Sequence, residues 1–140
     1  SYNKEEEVFA KEIYQTLVSP SLELGSQNMI KEYAVTHTYG STDVGDLTWL
    51  VPTGGFRTAT WVPGTPAHSW QAVASGGTSI GLKGAKLAAK VLTNSAKDIF
   101  LDPKIIEESK KELIVKRGKD FSYYPLLGDR SPPLEYRLNK

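Results

Sequence analysis

The chain has 140 residues, of which 17 are basic and 16 acidic, giving a formal net charge of +1. That length suits one domain able to bury about 70% of its unfolded surface, and the balanced charge, with no basic stripe, excludes nucleic acid as the expected partner. There is no cysteine, hence no disulfide, thiolate metal site or cysteine nucleophile, and no apolar run approaches the roughly 20 residues that span a bilayer.

With no signal peptide in view, a cytoplasmic location is the expectation. Ser1-Tyr2-Asn3 leads straight into a charged helix, so the start reads like the middle of a longer chain. Asn3 can cap that helix, with Glu5, Glu6 and Glu7 in the first turn, where negative charge is favoured. Val8 or Phe9, Ile13 and Leu17 recur at helical spacing beside Ala10 and Tyr14, and Pro20 predicts an end near Val18. Residues 19–32 read as a loop with room for a turn of helix at 28–32. Residues 33–39 alternate aromatic or β-branched side chains with small or polar ones, predicting a short strand that stops at Gly40. Ser41 or Thr42 can cap a short helix carrying Val44, Leu47 and Leu50, closed by Pro52. After the turn at Thr53-Gly54-Gly55, residues 56–62 alternate bulky and small side chains, the best strand pattern in the sequence.

Pro63-Gly64 stops that strand, and Gly76-Gly77 marks a further loop. Thr78 or Ser79 then opens the longest helix. Ile80, Gly84, Leu87 and Val91 with Ala88, Leu92, Ala96 and Ile99 give it one broad apolar face. Gly81, Gly84, Ala85, Ala88 and Ala89 keep it slim, which predicts close packing on a sheet. Asp102-Pro103 reads as a cap followed by a first-turn proline, opening a last helix over 103–117 with Ile105, Ile106, Leu113 and Ser109 facing inward and Gly118 at its end. The mixed charges over 104–119 read as a solvated face. Residues 121–140, rich in proline and aromatics, are expected to lie extended on the surface. The fold class expected is α/β, with helices packed on a small, mostly parallel or mixed sheet, and 1–140 forming a single segment.

Two polar, backbone-permissive clusters flank the strand-like centre: Gly40-Ser41-Thr42-Asp43-Val44-Gly45-Asp46, and Gly64-Thr65-Pro66-Ala67-His68-Ser69-Trp70. Loops on a rigid element are where chemistry sits. His68 is one of two histidines. A neutral imidazole in a Gly/Pro loop suits a terminal position on a borderline metal, but such a site needs three or four ligands and none lies nearby in sequence; the ordinary reading is a loop histidine bonded to backbone or water. Asp43 and Asp46 could bind metal, orient a ligand histidine or cap a helix, and capping is the commonest role. Gly64-Thr65-Pro66 could offer backbone N–H groups to a carboxylate or oxyanion, or be a plain turn. Of Trp49, Trp61 and Trp70, the last, two residues from His68, is the one placed to touch a ligand, although such side chains more often belong to core and rim. His37 reads as structural or exposed. Gly76-Gly77-Thr78-Ser79 is similar to an anion cradle but lacks a phosphate loop's lysine and spacing. Ser41, Ser69 and Ser79 lie in no nucleophile elbow.

Together, 40–46 with Trp49, 64–71, and Thr78-Ser79-Ile80 leading into Lys83-Gly84 resemble the C-terminal part of the aminobenzoyl-glutamate utilization protein B family, within the zinc-dependent aminoacylase and carboxypeptidase superfamily. Glu6-Glu7, Phe9-Ala10 and the Asp102-Pro103 helix extend the resemblance over most of the chain. It implies the part of a catalytic domain that follows an inserted lid, and hydrolysis of an N-acyl amino acid by water bridging two zinc or manganese ions, with a glutamate as base. It carries over His68 as one metal ligand, places Ser41, Thr42 and Asp43 along the substrate, and sets Gly64 and Thr65 in the loop leading to the ligand, with Trp70 beside it. The family's His-x-Asp motif and its Glu-Glu pair, which hold the other ligands and the base, have no match; Glu5-Glu6-Glu7 and Glu107-Glu108 read as helix-surface glutamates. The expectation is therefore a segment that is inactive and metal-free alone, completed by the rest of its polypeptide or by a partner subunit, and prone to self-association. The alternative is a non-catalytic binding or interaction domain that keeps only the fold.

Overall fold

The computed structural model describes residues 1–35, 40 and 42–135. Within them the expected α/β class is overturned. Five α-helices, α1 (Lys4–Gln15), α2 (Val44–Leu50), α3 (Trp70–Gly76), α4 (Ser79–Leu101) and α5 (Pro103–Arg117), and a 3-10 turn at Ser26–Asn28 are the regular elements, and no strand or sheet occurs among the described residues. Residues 33–35 and 52–60 carry neither helix nor strand, while 36–39, with His37, lie outside the described residues. Alternation shows only that a segment would suit a half-buried pleated surface; a strand exists only when a neighbour takes up its backbone N–H and C=O groups. The short helix α3, which falls in a stretch to which periodicity assigns no element, is bracketed by the Ser69 cap and Gly77.

The chain divides into two compact units, Ser1–Thr38 with Gly55–Pro103, and Tyr39–Gly54 with Lys104–Lys140. In the first, α1 opens with a reciprocal capping box: the Asn3 side chain accepts from the Glu6 N–H at 2.9 Å and the Asn3 N–H donates to Glu6 Oε2 at 2.7 Å. One face of α1 is buried through Ala10 and Ile13, which meet Val62 and Ile80, with Tyr2, Phe9, Tyr14 and Ala74 packed around them. Burying a side chain such as Ile13 contributes about 1.5–3 kcal/mol. Gln71 ties α3 to the end of α1 by donating to Thr16 Oγ1 at 3.3 Å.

The slimness of α4 serves close approach to other backbone, as expected, but not to a sheet. A Cβ on Gly81 would collide with the Gly76 backbone in α3, and one on Gly84 would lie 2.5 Å from the Ala59 carbonyl oxygen. Only Ile80, Gly81 and Gly84 of α4 are buried, so the broad face read from the sequence is covered at its N-terminal end alone.

In the second unit, Trp49 at the end of α2 stacks on Phe121, with ring centroids 5.0 Å apart and planes at 20°. Arg117 donates to the Trp49 carbonyl at 2.5 Å and lies 5.9 Å from the Phe121 centroid. Gly118, at φ +87°, ends α5 as expected, its N–H donating to the Ile114 carbonyl at 2.9 Å. Neither α2 nor α5 fully buries a residue: of the inward face expected of Ile105, Ile106, Leu113 and Ser109, Leu113 and Ser109 are half-buried and the two isoleucines are exposed. Residues 121–135 form no helix or strand, in keeping with the irregular tail expected. No helix among the described residues is long and apolar enough to cross a membrane.

Candidate functional site

The loop between Val62 and α3 is held at its base and open at its tip. Val62 and Pro63 are buried, and the Thr65 N–H donates to the Val62 carbonyl at 3.2 Å. Gly64 has φ +79°, and a Cβ there would sit 2.6 Å from Pro20 Cβ and 3.1 Å from the Leu22 carbonyl oxygen. Only glycine meets both demands, the left-handed backbone and the contact with 20–22. The shielded Thr65 Oγ1 finds no hydrogen-bond partner among the described residues.

At the tip, His68 adopts φ +59°, the left-handed region that non-glycine residues rarely enter. Ser69 follows as the α3 cap: its hydroxyl accepts from the Ala72 N–H at 3.2 Å and donates to the Pro66 carbonyl at 2.7 Å. His68 is thus fixed one residue before a helix N-terminus, exposed to solvent. With Trp61, Ser69, Trp70, Ala72 and Val73 it lines an open depression. Trp70, 60% exposed, stands beside it as expected.

Gly64, Thr65, His68 and Trp70 therefore share one loop and helix start in the first unit. The other predicted site residues belong to the second. Ser41 lies outside the described residues. Thr42 and Asp43 are exposed at the start of α2, where Thr42 Oγ1 accepts from the Val44 N–H at 3.3 Å and Asp43, in the cap position, makes no side-chain cap bond. The Asp46 carboxylate, accepting from the Tyr123 hydroxyl, holds that phenol above its ordinary pKa, with burial adding to the effect. The hydroxyls of the cradle-like segment are taken within the protein. Thr78 caps α4, accepting from the Ile80 N–H at 3.2 Å, and Ser79 donates to Glu6 at 2.6 Å.

Glu6 corrects the reading of Glu5-Glu6-Glu7 as surface glutamates: it is 4% exposed. Lys83 donates to its Oε2 at 2.5 Å, the Ser79 hydroxyl to its Oε1, and the Asn3 N–H to Oε2. The bond from Lys83 first, then those from Ser79 and Asn3, lower its pKa to about 2 against the opposing pull of burial. Burial, and then the Glu6 charge, raise that of Tyr2. The signal available in the sequence was the Asn3-x-x-Glu6 spacing of a capping box.

Among the described residues no group of three or more His, Cys, Asp or Glu side chains is placed to hold a metal ion. No protein-family profile matches the chain. No solved structure matches it. A curated protein does: over most of its length the chain is homologous to part of a hydrolase subunit. That relative is the B-subunit of p-aminobenzoyl-glutamate hydrolase from Escherichia coli (strain K12), 32% identical over 136 residues, an alignment taking in 79% of this chain and 28% of the relative. The resemblance to the aminobenzoyl-glutamate utilization protein B family is borne out as a partial match, and this chain spans little more than a quarter of that protein's length.

Proposed function

We propose that this chain is the C-terminal catalytic segment of a dinuclear-metal amidohydrolase that cleaves N-acyl amino acids such as aminobenzoyl-glutamate. The observation that carries this reading is the homology to a p-aminobenzoyl-glutamate hydrolase subunit, 32% identical over 79% of the chain. In it His68 is a terminal ligand to zinc or manganese, Asp43 supports the site, Ser41 and Thr42 line the substrate, Gly64 and Thr65 shape the ligand loop, and Trp70 borders it. An exposed imidazole at the tip of a loop pinned at Gly64 suits a group that reaches outward.

The described residues do not by themselves fit a dinuclear metal. A zinc site takes three or four protein ligands, and one imidazole supplies one. The described residues of this chain alone therefore complete no hydrolytic centre. The remaining ligands and the base belong to the rest of the polypeptide or to a partner subunit, and we place the assembled protein in the cytoplasm.

His68→Ala in the complete protein tests the reading, with metal content and hydrolysis of p-aminobenzoyl-glutamate measured together. A metal used as Lewis acid lowers the barrier by several kcal/mol, so the expected loss of turnover is at least about 100-fold, with metal content falling alongside. The 140-residue chain alone, given zinc or manganese, is expected to show no turnover. Full metal content and activity in the variant overturn the reading and leave the non-catalytic interaction domain in its place.

A further inference from the structure

The helix α2 is not secured by its own sequence. It has 7 residues, with Gly45 in its first turn, no side-chain bond from Asp43 in the cap position, and no residue buried. A helix shorter than about 12 residues is marginal in water, and an internal glycine weakens it further. Its order therefore has to come from contacts with other parts of its unit. Residues 117–123 of the same unit supply them. Gly118, at φ +87°, ends α5, and the Phe121 N–H donates to the Gly118 carbonyl at 3.4 Å, so the chain turns just beyond the helix.

Three side chains around this turn reach α2. The Arg117 guanidinium donates to the Trp49 carbonyl at 2.5 Å. That carbonyl is among the last four of the helix, which lack intrahelical partners, and a cation suits the negative end of the helix dipole. The Phe121 ring stacks on the Trp49 ring, centroids 5.0 Å apart, and lies 5.9 Å from the guanidinium, so Arg117, Phe121 and Trp49 form one brace. In the first turn of α2, the Tyr123 hydroxyl donates to the Asp46 carboxylate. Arg117, Phe121 and Tyr123 are half-buried, although the helix they hold is exposed. A helix tied in both its first and its last turn is kept from fraying and from pivoting. Thr42 and Asp43 directly precede it, and Trp49 lies about 9 Å along the axis from Asp43.

We propose that Arg117, Phe121 and Tyr123 are positioning residues for hydrolysis: they hold α2, and through it they set the direction in which Thr42 and Asp43 meet the N-acyl amino acid. The inference rests on the proposed function. None of the three has to touch the substrate, because each acts through a contact on Trp49 or Asp46. Their effect has a kinetic signature. A segment that lines the substrate and holds no metal contributes the same binding before the reaction and during it, so misplacing it raises KM and spares kcat. Loss of a metal ligand does the reverse, removing turnover.

Phe121→Leu, Phe121→Tyr and Tyr123→Phe are made in the complete protein, and hydrolysis of p-aminobenzoyl-glutamate, metal content and hydrogen exchange are measured for each. Phe121→Leu is expected to raise KM about 10-fold, with kcat within about 3-fold and metal content unchanged. Exchange over 44–50 should quicken about 10-fold while exchange over 79–100 keeps its rate. Phe121→Tyr leaves an aromatic ring on Trp49 and is expected to return both KM and exchange to the unsubstituted values. Tyr123→Phe, which loses one hydroxyl, is expected to raise KM about 3-fold. Faster exchange over 44–50 in Phe121→Leu with an unaltered KM shows that the brace serves the fold alone, and overturns the inference. Unaltered exchange shows that α2 does not depend on the turn, and overturns it too, as does a fall in kcat and metal content without a rise in KM. If Phe121→Leu does not fold, seen as lost thermal cooperativity and fast exchange over 79–100 as well, Tyr123→Phe decides: faster exchange over 44–50 together with a raised KM supports the inference, and either one without the other overturns it. The proposed function fails on a different measurement, full metal content and turnover in His68→Ala, so the two failures are distinguishable.

Discussion

The two polar centres of the first unit lie in opposite states of completion. At the α1–α4 junction Glu6 is buried, and a lysine, a serine hydroxyl and a backbone N–H already serve its carboxylate. At the tip of the following loop, His68 is exposed, on backbone at φ +59°. A buried carboxylate is stable only with its partners in place, so the Glu6 cluster has to be built by this chain and acts on its fold. An exposed imidazole has no such requirement. The lesson is that a polar cluster made whole within the chain holds structure, whereas a group carried outward on a pinned loop is available to something else.

The difference depends first on the loop being pinned. Gly64→Ala is expected to have the largest effect. The left-handed backbone disfavours a Cβ by roughly 1–2 kcal/mol, and forcing that atom against Pro20 adds about 1–3 kcal/mol. A loss of about 3 kcal/mol in urea unfolding is expected. A change within about 0.5 kcal/mol, the range of ordinary surface substitutions, would mean that the loop base is not fixed and that His68 has no defined direction.

The Glu6 side of the comparison is sharpened by pH. Its folded pKa of about 2 lies below the ordinary 4.5. A depressed carboxylate pKa means that the unfolded chain binds the proton more readily, so the stabilisation is fully present above about pH 4.5 and is lost as pH falls through that value toward about 2. Glu6→Gln removes the charge and the pairing with Lys83. Thermal unfolding from pH 6 to pH 3 is expected to show a clearly lower Tm for the variant at pH 6, with the gap narrowing below about pH 4.5 as the unfolded chain takes up its proton and closing fully only near pH 2. Parallel curves across that range would show that Lys83, Ser79 and Asn3 do not hold the charge.

The helices were legible where local chemistry decides them. Asn3, Thr78, Pro103 and Gly118 mark ends that the structure keeps within a residue or two, and the α2 segment with Val44, Leu47 and Leu50 is found as read. What failed depends on partners distant in sequence. The alternation at 56–62 describes a surface preference, and no neighbouring strand is present among the described residues to realise it. The inward faces assigned to α4 and α5 were read correctly as apolar, yet most of their length stays exposed, because periodicity marks which side seeks cover and not what supplies it. Glu6 was misread because a glutamate in a first helical turn is usually solvated; its burial follows from Lys83 and Ser79, more than 70 residues away. At the candidate site, the grouping of Gly64, Thr65, His68 and Trp70 was legible because one short stretch contains them all.

The smallest effect expected is the one that most directly tests the outward role of His68. Asparagine tolerates the left-handed region better than most residues, because its short polar side chain can bond locally. His68→Asn therefore keeps the backbone at the loop tip and removes only the imidazole. If the ring serves nothing inside the fold, urea unfolding of the 140-residue chain should change by no more than about 0.5 kcal/mol, as for other exposed positions. In the complete protein the same substitution is expected to abolish hydrolysis, since a neutral amide oxygen is a poor substitute for an imidazole on zinc. A destabilisation above about 1 kcal/mol in the isolated chain would instead show that the imidazole is part of the loop's own packing. His68 would then join Glu6 as a group the chain completes for itself, and the contrast between the two centres would vanish.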